Sequence, residues 1–153
     1  MSRAIRHGST AAAIVAIVAA ACGSSHTATP TEQQQVKQVV RSYLRAQTSG
    51  DGQAACSLLT DAAQRQLETL VLQAGKGLVT ARPSCQDAVA LVSAVAGAKL
   101  LNALSQAQIA QVRVQGNKAT ADVIDGTEFG QQRVSLQRSG STWQIAGVPA
   151  LTG

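Results

Sequence analysis

The sequence predicts an α+β domain in which N-terminal helices pack on one face of a four-stranded antiparallel meander. Residues 30 to 95 repeat apolar side chains at helical spacing. Residues 110 to 145 instead alternate apolar and polar side chains in four short segments joined by glycine-containing turns. Because only one face of these segments is apolar, the sheet needs a cover on that face, and the helices are the available cover.

Four helices are expected ahead of the sheet. The first runs from 30 to 49, with a proline at its first helical position. The second, 53–59, carries Cys56 toward the core. Hydroxyl side chains that accept a hydrogen bond from the first turn are typical helix starts, so Thr60 and Ser84 are expected to begin the third and fourth helices.

The four strand segments have one apolar and one polar face. The residues expected to point inward are Ala110, Val112, Val114, Ala119, Ala121, Val123, Val134, Leu136 and Ile145. Those expected to point outward are Gln111, Arg113, Thr120, Arg133, Ser135, Gln137 and Gln144. Alanine is a poor strand former. Ala119 and Ala121 therefore either leave a cavity for an apolar ligand or let a helix approach closely, and both alternatives stay open.

The N-terminal segment has the pattern of an export signal. Arg3 and Arg6 precede an unbroken apolar run at 11–21. Eleven helical residues span about 17 Å, too short for a bilayer core of about 30 Å, so the run is typical of a secretory signal. The motif Ala-Ala-Ala-Cys-Gly at 19–23 resembles the lipobox of bacterial lipoproteins.

This resemblance implies that Cys22 receives a diacylglycerol and that the signal peptide, 1–21, is removed. The alternative is ordinary secretion, with Cys22 lost in the cleaved peptide. Residues 22–30 then form the lipid anchor and a polar tether that reaches at most about 30 Å. The expected location is the extracytoplasmic face of the cell membrane, with the membrane as a partner through the lipid on Cys22.

Charge and composition exclude one class of partner. Without Arg3 and Arg6, the 13 basic residues fall to 11 against 8 acidic ones, a net charge of +3. Aromatic residues make up only 2% of the chain, and no basic run is interleaved with them. We therefore expect no nucleic-acid binding.

The three cysteines have two different expected roles, lipidation for one and disulfide formation for the other two. If Cys22 carries lipid, Cys56 and Cys85 remain, and export places them in an oxidising compartment. The sequence therefore predicts a Cys56–Cys85 disulfide. The alternatives are two buried thiols or one reactive thiol, although no histidine follows His26 to activate a nucleophile.

Residues 31–148 resemble the nuclear transport factor 2-like (cystatin-like α+β) superfamily in its bacterial exported-lipoprotein branch. The similar stretches are VKQVVRSYLRAQTSGD, GQAACSLLTDAAQRQL, SCQDAV and VSLQRSGSTWQIAG, in which Trp143 and Ile145 match a W-x-I pair of the last strand. The resemblance implies one domain over 31–153 with a cone-shaped pocket between helices and sheet. It also implies dimerisation through the outer face of the sheet in related folds, but it does not determine function.

The residues favour a non-catalytic module over an enzyme. Acid–base catalysis in such a pocket needs a carboxylate or histidine beside a hydrogen-bond donor, whereas the expected inner face offers no carboxylate. We therefore expect binding of a small apolar ligand or an envelope partner, without a cofactor. The alternatives are an isomerase- or dehydratase-like enzyme that uses Tyr43 with Asp87 or Asp61, and a structural homodimer.

Four residues are expected at a pocket: Tyr43, Ala119, Ala121 and Trp143. Tyr43 lies on the apolar face of the first helix and Trp143 begins the last strand. The competing interpretation places both in the core, with the tyrosine hydroxyl at the rim.

Two charged groups complete the candidates. Asp122, Asp125 and Glu128 surround one turn, but the spacing of a calcium loop is absent, so a solvated hairpin tip and no metal site are expected. Lys37, Arg41 and Arg45 share one stripe of the first helix. The stripe contacts anionic lipid headgroups, contacts an acidic partner, or is an ordinary wet helix face.

Overall fold

The computed structural model describes residues 30–75, 81–124 and 130–147, and it confirms the predicted α+β class. Within these ranges five helices precede four strands. The helices are α1 (Pro30–Ser49), α2 (Gly52–Ser57), α3 (Asp61–Ala74), α4 (Cys85–Val95) and α5 (Ala98–Ser105). The strands are β1 (Gln108–Gln115), β2 (Lys118–Ile124), β3 (Gln131–Ser139) and β4 (Thr142–Gly147). They form one sheet in the order β1-β2-β3-β4 with every neighbouring pair antiparallel, as the meander predicts.

Several predictions fall on residues outside the described ranges. These are the signal peptide 1–21, the lipidated Cys22 with its tether, and the turn residues Asp125 and Glu128. They remain predictions.

Side-chain caps begin three of the helices. The Thr60 hydroxyl accepts a hydrogen bond from the backbone N–H of Ala63 at 3.3 Å, and the Ser84 hydroxyl accepts one from Asp87 at 3.2 Å. Both predicted caps are therefore confirmed. Asp51 starts α2 in the same way, so each of these helices has a donor of its first turn satisfied by the residue before it.

The predicted disulfide between Cys56 and Cys85 is present and joins α2 to the first residue of α4. The two helices also meet closely at Gly52. A Cβ atom built there would lie 2.7 Å from the carbonyl oxygen of Gln86. Only glycine fits this contact, so the covalent link and the close approach together hold α2 against α4.

Helix α5 was not predicted. It is eight residues long and follows α4 after Ala96 and Gly97, without a side-chain cap at its start. None of its residues is fully buried. Its short length and missing cap remove two of the signals by which a helix is recognised from sequence.

The predicted inward position of Ala110 is wrong. β1 contains a bulge, at which Gln111 adopts a φ of +42° and the register with β2 shifts. Before the bulge, Ile109 lies opposite Val123 and packs against the core, whereas Ala110 lies opposite Asp122 on the outer face. An extra residue in one strand reverses which side chains face inward, and alternation alone does not reveal it.

The core lies between the helices and the inner face of the sheet. α1 packs across this face, in contact with β1, β2 and β4. The loop between α2 and α3 adds to the free edge of β4, because the N–H of Ile145 donates to Leu58 and the N–H of Thr60 donates to Ile145. Helices and sheet are therefore linked along this edge by backbone hydrogen bonds as well as by packing.

An apolar cavity between the helices and the sheet

A cavity of about 210 Å³ lies between α1, α3, α4, α5 and the inner face of β2 and β3. Helix α5 contributes Leu100, Leu101 and Leu104, and α3 contributes Leu67, Leu70, Val71 and Ala74. Among the described residues, none that lines it carries a charged side chain. The cavity is therefore suited to uncharged, apolar molecules.

Helix α1 forms one wall because of its residue spacing. Val40, Tyr43, Leu44 and Gln47 are spaced i, i+3, i+4 and i+7, which places them on one side of a helix. All four line the cavity. The same helix therefore covers the sheet and supplies the aromatic residue of the cavity.

Tyr43 contributes a buried hydroxyl group to the residues of this wall. The residue is 4% exposed, and its hydroxyl has no hydrogen-bond partner among the described residues. Burial raises the pKa of this phenol above its usual value near 10, so it is neutral at physiological pH. A buried hydroxyl without a partner costs about 1–3 kcal/mol, and a ligand atom that accepts its proton would recover part of this.

The other polar lining groups differ from Tyr43. The Ser93 hydroxyl donates to the backbone carbonyls of Gln47 at 2.6 Å and Val89 at 2.9 Å, so its proton is already used. Gln47 and Gln132 are only half-buried. Their side-chain amides can therefore hydrogen-bond water.

The other three predicted pocket residues lie elsewhere. Ala119, Ala121 and Trp143 are buried but do not line the cavity. α1 contacts β2, so the two alanines lie where a helix approaches the sheet. Trp143 packs beneath Arg138, whose guanidinium lies 4.5 Å from the centre of the indole ring and pairs with Glu32 of α1.

The carboxylates suggested as partners of Tyr43 do not meet it. Asp87 accepts a hydrogen bond from the Ser84 hydroxyl at 2.6 Å, at the start of α4. Asp61 is exposed in the first turn of α3, and neither residue lines the cavity. In the described part of the chain, no three His, Cys, Asp or Glu residues are grouped to hold a metal ion.

The outer face of the sheet holds an ion pair. Asp122 is 2% exposed, and Arg133 on the neighbouring strand donates to it at 2.9 Å. This hydrogen bond is the main reason that the pKa of Asp122 is lowered. The pair lies on the opposite side of the sheet from the cavity.

Sequence reasoning missed the α5 wall of the cavity. The signal that could have found it is the spacing of Leu100, Leu101 and Leu104, which places three leucines on one side of a single short helix. Gln132 was missed for another reason. It is a polar residue at an inward position of β3, opposite Val123.

Comparison with protein-family models and with curated proteins finds no match to this chain. Among the described residues no single helix could cross a bilayer. α4 and α5 reach the necessary length and apolar character only when taken together, and they are bent by 112° at their junction.

Proposed function

We propose that this chain is a membrane-anchored exported lipoprotein that binds a small, neutral, largely apolar ligand and does no chemistry on it. The observation that carries the proposal concerns Tyr43, which lines an apolar cavity whose described lining residues carry no charge. Its buried hydroxyl has no hydrogen-bond partner among those residues. The ligand would accept a hydrogen bond from it through a carbonyl or ether oxygen.

We infer that the ligand is neutral from the polarity of the residues that line the cavity. An ionised carboxylate or ammonium group moved from water into an apolar site needs a countercharge or several hydrogen bonds. The lining residues that the structure describes offer no charge, and the Ser93 proton is taken by backbone carbonyls. A neutral ligand is therefore favoured over an anion or cation of the same shape.

The volume limits the size of the ligand. An apolar cavity of about 150 Å³ accepts benzene, whereas drug-sized ligands occupy about 300–1,000 Å³. At about 210 Å³, the cavity is suited to a body of one or two rings or a short branched chain.

The location rests on the N-terminal sequence. The lipobox-like motif around Cys22, after a short apolar run, supports lipidation and retention on the extracytoplasmic face of the cell membrane. The Cys56–Cys85 disulfide is in keeping with an oxidising compartment. Helices over one face of an antiparallel meander support the assignment of residues 31–153 to the nuclear transport factor 2-like superfamily.

Three matched probes test the binding. They are 2-acetylnaphthalene, which carries a ketone; 2-isopropenylnaphthalene, of the same shape without an acceptor; and 2-naphthoate, of similar size but anionic. Each is titrated by calorimetry into the full chain held in nanodiscs of zwitterionic lipid, with empty nanodiscs as the blank. Tyr43→Phe is the matched variant.

We expect the ketone to bind about five-fold more tightly than the alkene, as one neutral hydrogen bond implies, and the anion to bind most weakly. In Tyr43→Phe the preference for the ketone over the alkene should disappear. Tightest binding of the anion, or an unchanged preference in Tyr43→Phe, would refute the proposed ligand class.

A further inference from the structure

The outer side of α1 carries a basic stripe, formed by Lys37, Arg41 and Arg45. The three residues are spaced i, i+4 and i+8, so they lie along one line of the helix surface. Arg41 and Arg45 are exposed and Lys37 is half-buried. The stripe lies on the side away from the sheet, since the core-facing side of α1 is formed by Val36 and Val40, both fully buried.

The surroundings of the stripe are polar. The three cations lie beside the neutral polar side chains of Gln34, Gln38 and Ser42 of the same helix. Such a surface exposes positive charge without an apolar centre. It differs in this from a typical protein–protein interface, whose centre is apolar and poor in charged residues.

The described residues do not compensate the positive charge of the stripe. None of the three residues forms an ion pair with another described residue. The acidic residue of α1 is Glu32, one turn before the stripe, and its carboxylate is engaged by Arg138. The stripe therefore presents three positive charges to whatever lies beside α1.

We propose that this stripe docks on the anionic lipid headgroups of the membrane in which the chain is anchored, so that α1 lies along the bilayer surface. The inference rests on the proposed lipidation of Cys22. Seven residues separate Cys22 from Pro30, the first residue of α1, and the eight Cα–Cα steps between the two reach at most about 28 Å. From Lys37 to Arg45 the helix rises about 12 Å, so the stripe lies within reach of the surface.

Charge complementarity selects the occupant. A bilayer surface that contains acidic lipids attracts basic residues, and each cation contributes about a five-fold preference for the docked arrangement. Three cations together imply a preference on the order of 100-fold at low salt, and less at high salt because of screening. A soluble acidic protein would attract the stripe by the same charges. However, only the lipid surface is held beside the stripe by the tether.

The fluorescence of the single tryptophan, Trp143, can report docking. Trp143 is the single tryptophan of the chain and lies in β4, against which α1 packs. Energy transfer from Trp143 to a dansyl-labelled lipid reports how close the domain lies to the surface. The measurement uses the processed, lipidated chain in vesicles of phosphatidylcholine alone and of phosphatidylcholine with phosphatidylglycerol.

The stripe variant is K37Q/R41Q/R45Q. Its matched control, R65Q/R82Q/K118Q, removes three exposed cations that lie outside α1. We expect stronger transfer in the anionic vesicles for the wild-type chain and the control. High salt and the stripe variant should each reduce the transfer to its value in neutral vesicles.

Each other outcome overturns the docking. Equal transfer in both kinds of vesicle, for a chain that sediments with them, overturns docking alone and leaves the stripe to solvent or to an acidic protein. An equal loss of transfer in the control variant shows that overall charge, not the stripe, is responsible. A chain that stays in the supernatant of every vesicle overturns the lipid anchor as well.

Discussion

At Tyr43 burial and hydrogen bonding oppose each other. The ring packs among core residues, but the hydroxyl has no partner among the described residues. A phenylalanine at this position would avoid the cost of burying that hydroxyl. A ligand with an acceptor atom gives a physical reason for the tyrosine, and this is why the residue is central to the proposed site.

The ionisation of Tyr43 tests its burial. Because the chain contains one tyrosine, the tyrosinate absorbance near 295 nm reports this residue alone. Burial raises the pKa of Tyr43, so the folded state binds the phenol proton more strongly than the unfolded state does. The free energy of unfolding therefore falls as the pH rises above the pKa of the unfolded state, which is near 10.

We therefore expect no tyrosinate in the folded chain near pH 10, followed by its appearance together with alkaline unfolding. The chain in guanidinium is the control and should titrate near 10. A titration of the folded chain near 10 would mean that the hydroxyl is exposed to water.

Asp122 gives the opposite pH dependence. Its hydrogen bond from Arg133 lowers the pKa below the unfolded value of 3.8, so the folded state binds this proton less readily. The pair therefore stabilises the fold above pH 3.8, and this stabilisation is lost as the pH falls through the lowered pKa.

Urea unfolding of the wild-type chain and Asp122→Asn at several pH values measures this effect. We expect the wild type to be the more stable at pH 7 and the difference to shrink below pH 4. A difference that stays constant down to pH 2 would show that the carboxylate is not linked to folding in this way.

The junction of α2 with α4 is constrained by the disulfide and by a close backbone approach. In Gly52→Ala the new methyl group would lie 2.7 Å from the carbonyl oxygen and 2.8 Å from the Cα of Gln86. Since these are backbone atoms, the helices must separate, and we expect a loss of about 1–3 kcal/mol in the free energy of unfolding.

The matched control is Gly147→Ala, where the new methyl group meets no atom within 4 Å. Thermal unfolding should place this variant within about 0.5 kcal/mol of the wild type. Equal stability of the two variants would contradict the close approach of α2 and α4.

The disulfide acts on the same pair of helices through the unfolded state. Cys56 and Cys85 are 29 residues apart in sequence, so the double variant Cys56→Ala/Cys85→Ala should lose about 3.5 kcal/mol of stability by the chain-entropy model. Urea unfolding followed by Trp143 fluorescence measures the loss. Reduction of the wild type should give a similar loss, whereas a change below about 1 kcal/mol in the variant would contradict the model.

Elements with strong local signals were predictable, and elements that depend on tertiary contacts were not. α3 and α4 combine caps with apolar periodicity, α1 has a long apolar periodicity, and the strands alternate clearly between glycine turns. α5 has no cap and no buried residue, and the bulge at Gln111 is visible only in the pairing of β1 with β2. The cavity wall was missed because α5 supplies three of its leucines.

At the scale of the molecule, the cavity exists because four helices meet one sheet without filling the space between them. α1, α3, α4 and α5 each contribute a wall, and β2 and β3 form the floor. The disulfide holds α2 to α4, and backbone hydrogen bonds hold the α2–α3 loop to β4. A ligand that binds only this folded arrangement would raise the stability of the whole chain.

The most direct test of the central claim is to fill the cavity from its own wall. Val92 lines the cavity, whereas Val95 on the same helix is 81% exposed, so Val92→Phe and its matched control Val95→Phe add the same side chain in the two places. Binding of 2-acetylnaphthalene to each chain is measured by calorimetry, with the fluorescence of Trp143 as a check on folding. We predict that Val95→Phe binds like the wild type and that Val92→Phe folds but loses binding at least ten-fold. Equal binding by a folded Val92→Phe chain would contradict the claim that the ligand occupies this cavity.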